Sequence, residues 1–137
     1  MPAVAARVFS ASIGELRRIS SWWREWAVSA GISDDATDAG ELCLNEAAAN
    51  IVLHGCADGT PHEVAITLDL FEGRARITVS DDGRAFNPLD HPLPASPTTL
   101  EDATIGGRGI GLIRSYAPDV RYRYENGRNV LVLRLAR

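Results

Sequence analysis

Residues 45–54 read Asn45-Glu46-Ala47-Ala48-Ala49-Asn50-Ile51-Val52-Leu53-His54. Side chains four apart on a helix stack on one face. The spacing therefore directs the Glu46 carboxylate, the Asn50 carboxamide and the His54 imidazole into one space. The rest of the run is apolar and reads as a buried helix. A carboxylate on a core-facing stripe needs a partner or a task.

Working outward, Ser33 is suited to cap this helix, with Asp34 and Asp35 favourable in its first turn and Gly55 as its stop. Before it, Leu16, Ile19, Trp22, Trp23, Trp26 and Ala27 recur at spacings of three and four, which predicts an amphipathic helix over 13–30 ended by Gly31. Its tryptophans read as a packed core face; any that protrudes points to a subunit interface. Residues 5–10 alternate weakly, as an edge strand does. After the central helix, Val64, Ile66, Leu68 and Leu70, then Ala75, Ile77 and Val79, alternate on two strands joined at Glu72-Gly73. Residues 87–105 hold four prolines and no period, and suit a lid over a site or a solvated loop. A short helix over 112–116 and a second hairpin, Val120–Tyr124 and Val130–Leu135 around Asn126-Gly127, complete the order. Paired strands and blocked helices predict an α+β fold, a two-layer sandwich with helices on one face of a mostly antiparallel sheet.

The chain has 137 residues, 45% of them hydrophobic, which suits one compact domain over 1–137 and excludes disorder. A net charge of -4 disfavours direct nucleic-acid or anionic-membrane binding. No apolar run approaches the roughly 20 residues of a bilayer span and no signal pattern opens the chain, so a cytoplasmic location is expected. Cys43 and Cys56 show no metal spacing and fall on different sides of the predicted helix. They read as small hydrophobes in a reducing compartment.

Three segments carry chemistry. An Asn50 side-chain oxygen suits magnesium, a hard cation that prefers oxygen ligands. Glu46, one turn earlier, can accept the proton of an attacking hydroxyl or orient it. The same Glu-x-x-x-Asn spacing is also common on solvated helix faces, and His54 fits either a supporting or a helix-end role. Asp81, at a strand end before Asp82-Gly83, can accept a hydrogen bond from an exocyclic amine, and Gly83 lets the backbone come close to a base. Ordinary Asp-Gly turns look alike. Finally, Gly106-Gly107-Arg108-Gly109-Ile110-Gly111-Leu112 opens a helix with free amides, which favour phosphate. Arg108 suits a phosphate oxygen or plain solvent. No Gly-Lys-Ser/Thr follows, so it is not a Walker loop.

In this order and separation the motifs resemble the GHKL ATPase superfamily, whose nucleotide site has the Bergerat fold. Glu46-x-x-x-Asn50 matches its N box, Asp81-x-Gly83-x-x-Phe86 its G1 box, and Gly107-x-Gly109-x-Gly111 its G2 box. The resemblance covers nearly the whole chain and is greatest to the small anti-sigma-factor serine kinases. It implies ATP and Mg2+ as cofactors, Glu46 as catalytic base, Asn50 as magnesium ligand and Asp81 as adenine reader. It also implies a nucleotide site lined by Gly83, Phe86, Gly107, Arg108, Gly109 and Gly111, with 87–105 as the ATP lid. Many members hold adenine with a hydroxyl residue near the start of the last strand. Here Arg128-Asn129 stands there, and whether the Asn129 amide replaces that contact is open.

Three functions follow from the resemblance. The first is a serine/threonine protein kinase that phosphorylates an anti-sigma-factor antagonist of STAS type and otherwise holds a sigma factor. The second is a non-catalytic, ATP-dependent protein-binding switch, since a pocket does not prove turnover. The third is a detached histidine kinase catalytic domain, which the roughly 40 residues before the N box disfavour. A homodimer is the family-level expectation.

Overall fold

A computed structural model describes residues 4–55, 62–88, 113, 116–117 and 119–135. Strand β1 (Ala5–Ser10) leads through a 3-10 turn at Ile13–Glu15 into helices α1 (Leu16–Ser29) and α2 (Asp34–Asn50). Strands β2 (Glu63–Phe71), β3 (Arg74–Asp81), β4 (Asp119–Glu125) and β5 (Arg128–Arg134) follow. The five strands form one sheet in the order β1-β2-β3-β5-β4, each neighbouring pair antiparallel. This is the expected α+β architecture, and β5 is the strand that separates β3 from β4.

The alternation read from the sequence decides which sheet face is covered. Val64, Ile66, Leu68, Ile77, Val79, Leu131 and Leu133 are buried in one cluster with Ile19, Trp23, Trp26, Ala27, Cys43, Leu44, Ala47 and Ala48 of the helices. On the other face Asp69 pairs with Arg76 and Asp119 with Arg134, and both arginines lie over the Phe71 ring, 4.8 and 4.7 Å from its centre. Both hairpins close as expected. Glu72-Gly73 and Asn126-Gly127 take positive φ at both positions (54° and 76°, 54° and 74°), the turn that matches the twist of the strands.

The tryptophans are core, as their spacing predicts. Trp23 is fully buried and its indole N–H donates to the Thr37 carbonyl of α2 at 2.8 Å. Trp22 packs partly buried, edge-on to Phe9 at 5.6 Å. Gly31 has φ 74° and ends the α1 region. Ser33 caps α2, its hydroxyl accepting from the Ala36 N–H at 3.1 Å. Ser33→Ala should lower the unfolding free energy by about 1 kcal/mol, the usual worth of such a cap. Chemical denaturation checks it, and an unchanged midpoint would mean that the acidic first turn suffices.

One expectation needs correcting. The sequence reading continues a regular helix to His54, whereas α2 ends at Asn50 and residues Ile51–Gly55 form a π-helical turn. The wider π turn breaks the 3.6-residue period, so the stacking argument holds from Glu46 to Asn50 and does not extend to 54. The expected short helix is represented by Ile113 and Tyr116, with the Ala117 N–H bonded to the Ile113 carbonyl at 2.7 Å. Cys56, the His54 side chain, the glycine-rich segment 106–112 and all of the expected lid except Asn87 and Pro88 lie outside the described residues.

Candidate functional site

The central helix and the sheet enclose a cavity at the end where β3 finishes and β5 begins. Val79 and Leu131 form its sheet side, and Ala47, Asn50 and Ile51 its helix side. Asp81, Asn129 and Tyr122 supply polar groups, with Phe86 and Pro88 at the turn that follows β3. The antiparallel register explains the grouping: Asp81 pairs with Asn129 across β3 and β5, and Asn129 with Tyr124 and Leu131 with Tyr122 across β5 and β4. The cavity has about 30 Å3 of room, enough for one or two waters.

Asp81 is 3% exposed. Its Oδ1 accepts from the Gly83 N–H at 2.9 Å and from the Asn129 side-chain amide at 3.1 Å. Burial pushes its carboxyl above the ordinary range, against these two donors, which act in the opposite direction. The neighbouring Asp82 behaves the other way. The His62 ring, 2.9 Å away, holds its carboxyl below the usual range and ties the start of β2 to the end of β3.

The raised value of Asp81 has a consequence for stability. An acid whose folded pKa exceeds its unfolded pKa contributes stability that is complete below the unfolded value and lost as pH rises through the folded one. At neutral pH the buried charge is thus a cost that a neutral side chain removes. Asp81→Asn in the ligand-free protein should melt at or above the wild-type temperature at pH 7, and that advantage should shrink towards pH 4. A variant clearly less stable at pH 7 would mean that the ionised carboxylate holds the turn together.

Asn50 is 8% exposed, and its carboxamide forms no hydrogen bond among the described residues. The amide is not among the side-chain groups sealed from solvent without a partner, so water can satisfy it, and its place on the cavity wall leaves its oxygen able to meet a cation or polar group. Among the described residues no three His, Cys, Asp or Glu side chains cluster as a metal site. A magnesium ion held by the Asn50 oxygen would complete its shell from phosphates and water, the usual arrangement for that ion. Glu46 sits one turn back on α2, half-buried, with its carboxyl raised by burial, and it is not among the residues that line the cavity. The buried Cys43 thiol is pushed up to about 11 by burial and by the nearby Glu46 charge, and stays protonated.

The structure thus brings Asn50, Asp81 and Phe86 to one cavity, binds Gly83 to Asp81, and leaves Glu46 beside it. Gly107, Arg108, Gly109 and Gly111 lie outside the described residues. Tyr122 is an addition that the sequence reading did not single out. The alternation of Val120, Tyr122 and Tyr124 was the available signal, since it puts Tyr122 on the covered face, opposite Leu131.

The chain matches the histidine kinase-like ATPase domain over residues 9–135 and belongs to that family. The serine/threonine-protein kinase BtrW of Bordetella bronchiseptica is 33% identical over 92 residues, 67% of this chain and 65% of that protein. The serine-protein kinase RsbW of Listeria innocua is 29% identical over 110 residues, 77% of this chain and 70% of that one. The crystal structure of the RsbU and RsbW domains of Rv1364c from Mycobacterium tuberculosis superposes with a TM-score of 0.68 at 17% identity, over 97% of this chain and 32% of that one. That likeness establishes the shared fold. The chain spans about two thirds of the length of these curated relatives and about a third of the solved chain. No helix among the described residues is long and apolar enough to cross a membrane.

Proposed function

We infer that this protein binds ATP with magnesium and transfers the γ-phosphate to a serine or threonine of a partner protein, an anti-sigma-factor antagonist of STAS type, and that it otherwise holds a sigma factor as a homodimer. The observation that carries this reading is the convergence of Asn50 from α2 and Asp81 from β3 on one cavity, with Glu46 a single turn away. The kinases BtrW and RsbW among the relatives support the same reading.

Each residue has a role that its chemistry allows. Asp81 offers Oδ2, to which no described residue donates, to the exocyclic amine of adenine. Asn50 offers its amide oxygen to magnesium, which when bound neutralises charge on the phosphates. Glu46 takes the proton of the attacking hydroxyl while the γ-phosphorus–oxygen bond to ADP breaks and the bond to the hydroxyl oxygen forms. A carboxyl raised by burial is a stronger base once ionised than an exposed one. Gly107, Gly109 and Gly111 offer backbone amides, and Arg108 its guanidinium, to the phosphates. Residues 87–105 act as the lid.

The test is direct. The protein is incubated with γ-labelled ATP, magnesium and candidate antagonist domains, and label on serine or threonine is measured. Transfer to a cognate domain supports the kinase. One observation favours a second reading, a non-catalytic ATP-dependent binding switch: Glu46 is absent from the cavity wall that carries Asn50 and Asp81. Tight ATP binding with no transfer to any cognate domain would replace the kinase by the switch.

A further inference from the structure

The Asn129 side chain has no hydrogen-bonding capacity left for a ligand. Its amide nitrogen carries two N–H groups, and these meet Asp81 Oδ1 at 3.1 Å and the Arg84 carbonyl at 2.8 Å, with the Gly83 carbonyl further off at 3.4 Å. Its carbonyl oxygen accepts from the Phe86 N–H at 3.0 Å and from the Tyr122 hydroxyl. A carboxamide has two donors and two acceptor positions, and all four are taken. The orientation of the amide is dictated by its neighbours: a carboxylate and a main-chain carbonyl only accept, and the Phe86 N–H only donates. Flipping the amide would place like against like at Asp81, Arg84 and Phe86, and only the Tyr122 hydroxyl could adapt.

Hence Asn129 does not stand in for a hydroxyl that touches a base, the alternative the sequence left open. We propose that Asn129, braced by Tyr122, is a positioning residue that fixes the Asp81 carboxylate so that Oδ2 alone faces the cavity and sets the site's preference for a 6-aminopurine. The inference rests on the nucleotide reading given above and goes beyond it, because it assigns discrimination to residues other than the carboxylate that reads the amine.

Asp81 and Asn129 are paired directly across β3 and β5, so both side chains emerge from the same covered face. The Gly83 N–H and the Asn129 amide both hold the same oxygen, Oδ1, which stops rotation of the carboxylate about its terminal bond. The amide also fastens Arg84 and Phe86, so the turn after β3 is held in the shape that places Phe86 on the cavity wall. With Oδ1 taken, a base that brings an N–H to Oδ2 is favoured over one that brings a carbonyl or a carbon.

The test compares ATP with purine riboside triphosphate, which has hydrogen in place of the 6-amine, by calorimetry on three folded proteins. Wild type should prefer ATP by about tenfold or more, the worth of one charge-assisted bond. Asn129→Asp keeps the shape but turns the donors on Asp81 and Arg84 into an acceptor, and the preference should fall to about threefold or less. Tyr122→Phe loses one brace and should fall between. A purely structural role would weaken both ligands equally, so an unchanged ratio in both variants overturns the proposal whatever happens to absolute affinity. If Asn129→Asp does not fold, Tyr122→Phe decides alone, since it preserves the ring. Wild type that binds ATP without preference removes the amine-reading role, and the proposal with it, yet leaves the nucleotide function standing. Wild type that binds neither ligand overturns both.

Discussion

Glu46→Gln should slow phosphoryl transfer by about 10²- to 10⁴-fold, the range that a positioned proton acceptor contributes, while ATP affinity stays within a few-fold of wild type. Glutamine keeps the shape and half-buried position of the side chain but cannot take a proton. The pH dependence sharpens the expectation. The Glu46 carboxyl is raised by burial above its ordinary value of 4.5, and only its ionised form is a base. Transfer by the wild type should therefore fall as pH drops through that raised value, earlier than an exposed glutamate would dictate, and this acid limb should be missing in the variant. Single-turnover transfer of labelled γ-phosphate across a pH series measures both. Because Glu46 lies beside the cavity and not in its wall, an undiminished rate would assign the proton to another acceptor or to none.

Gly40→Ala should destabilise the fold by about 2–3 kcal/mol. Alanine is the better helix former by about 1 kcal/mol, so an exposed position on α2 would gain from the change. Here the added methyl carbon would sit 2.1 Å from Cζ2 and 2.5 Å from Cε2 of the Trp23 indole. That ring is fully buried and held at the same edge, through Nε1 beside Cε2, by the bond to the Thr37 carbonyl. A rigid bicycle cannot bend aside, so α1 and α2 must separate, and the packing loss outweighs the propensity gain. Urea denaturation followed by tryptophan fluorescence reads the midpoint. Replacing Trp23 by the smaller Phe in the Gly40→Ala background should recover part of the loss. A single variant as stable as wild type would show that the helices part freely.

Much of this architecture could be read from residue order because local rules and burial agree. The two positive-φ turns carry Gly73 and Gly127, Ser33 precedes two acids at the start of α2, and β2 and β3 alternate between buried and part-exposed residues along their central stretches. Asn50 and Asp81 were recognisable as candidates, and both line the cavity, because each is a polar group inside an apolar period. What escaped was decided by pairing across the sheet. Tyr122 looks like any strand aromatic until β4 is laid beside β5, and the saturation of Asn129 depends on five neighbours brought in from three segments. The π turn after Asn50 also left no mark, since Ile51-Val52-Leu53 suits a regular helix equally well.

The order of strands has a bearing on biosynthesis. As β5 is inserted between β3 and β4, a nascent chain that has emerged only as far as residue 118 owns α2 and Asp81 but presents the side of β3 away from β2 as a raw border. Neither Asn129 nor Tyr122 has yet left the ribosome. The part of the cavity wall that holds Asn129 and Tyr122 is therefore completed only once β4 and β5 are made, so products that stop at residue 118 should not bind the nucleotide proposed above, nor compete for it with protein that includes both strands.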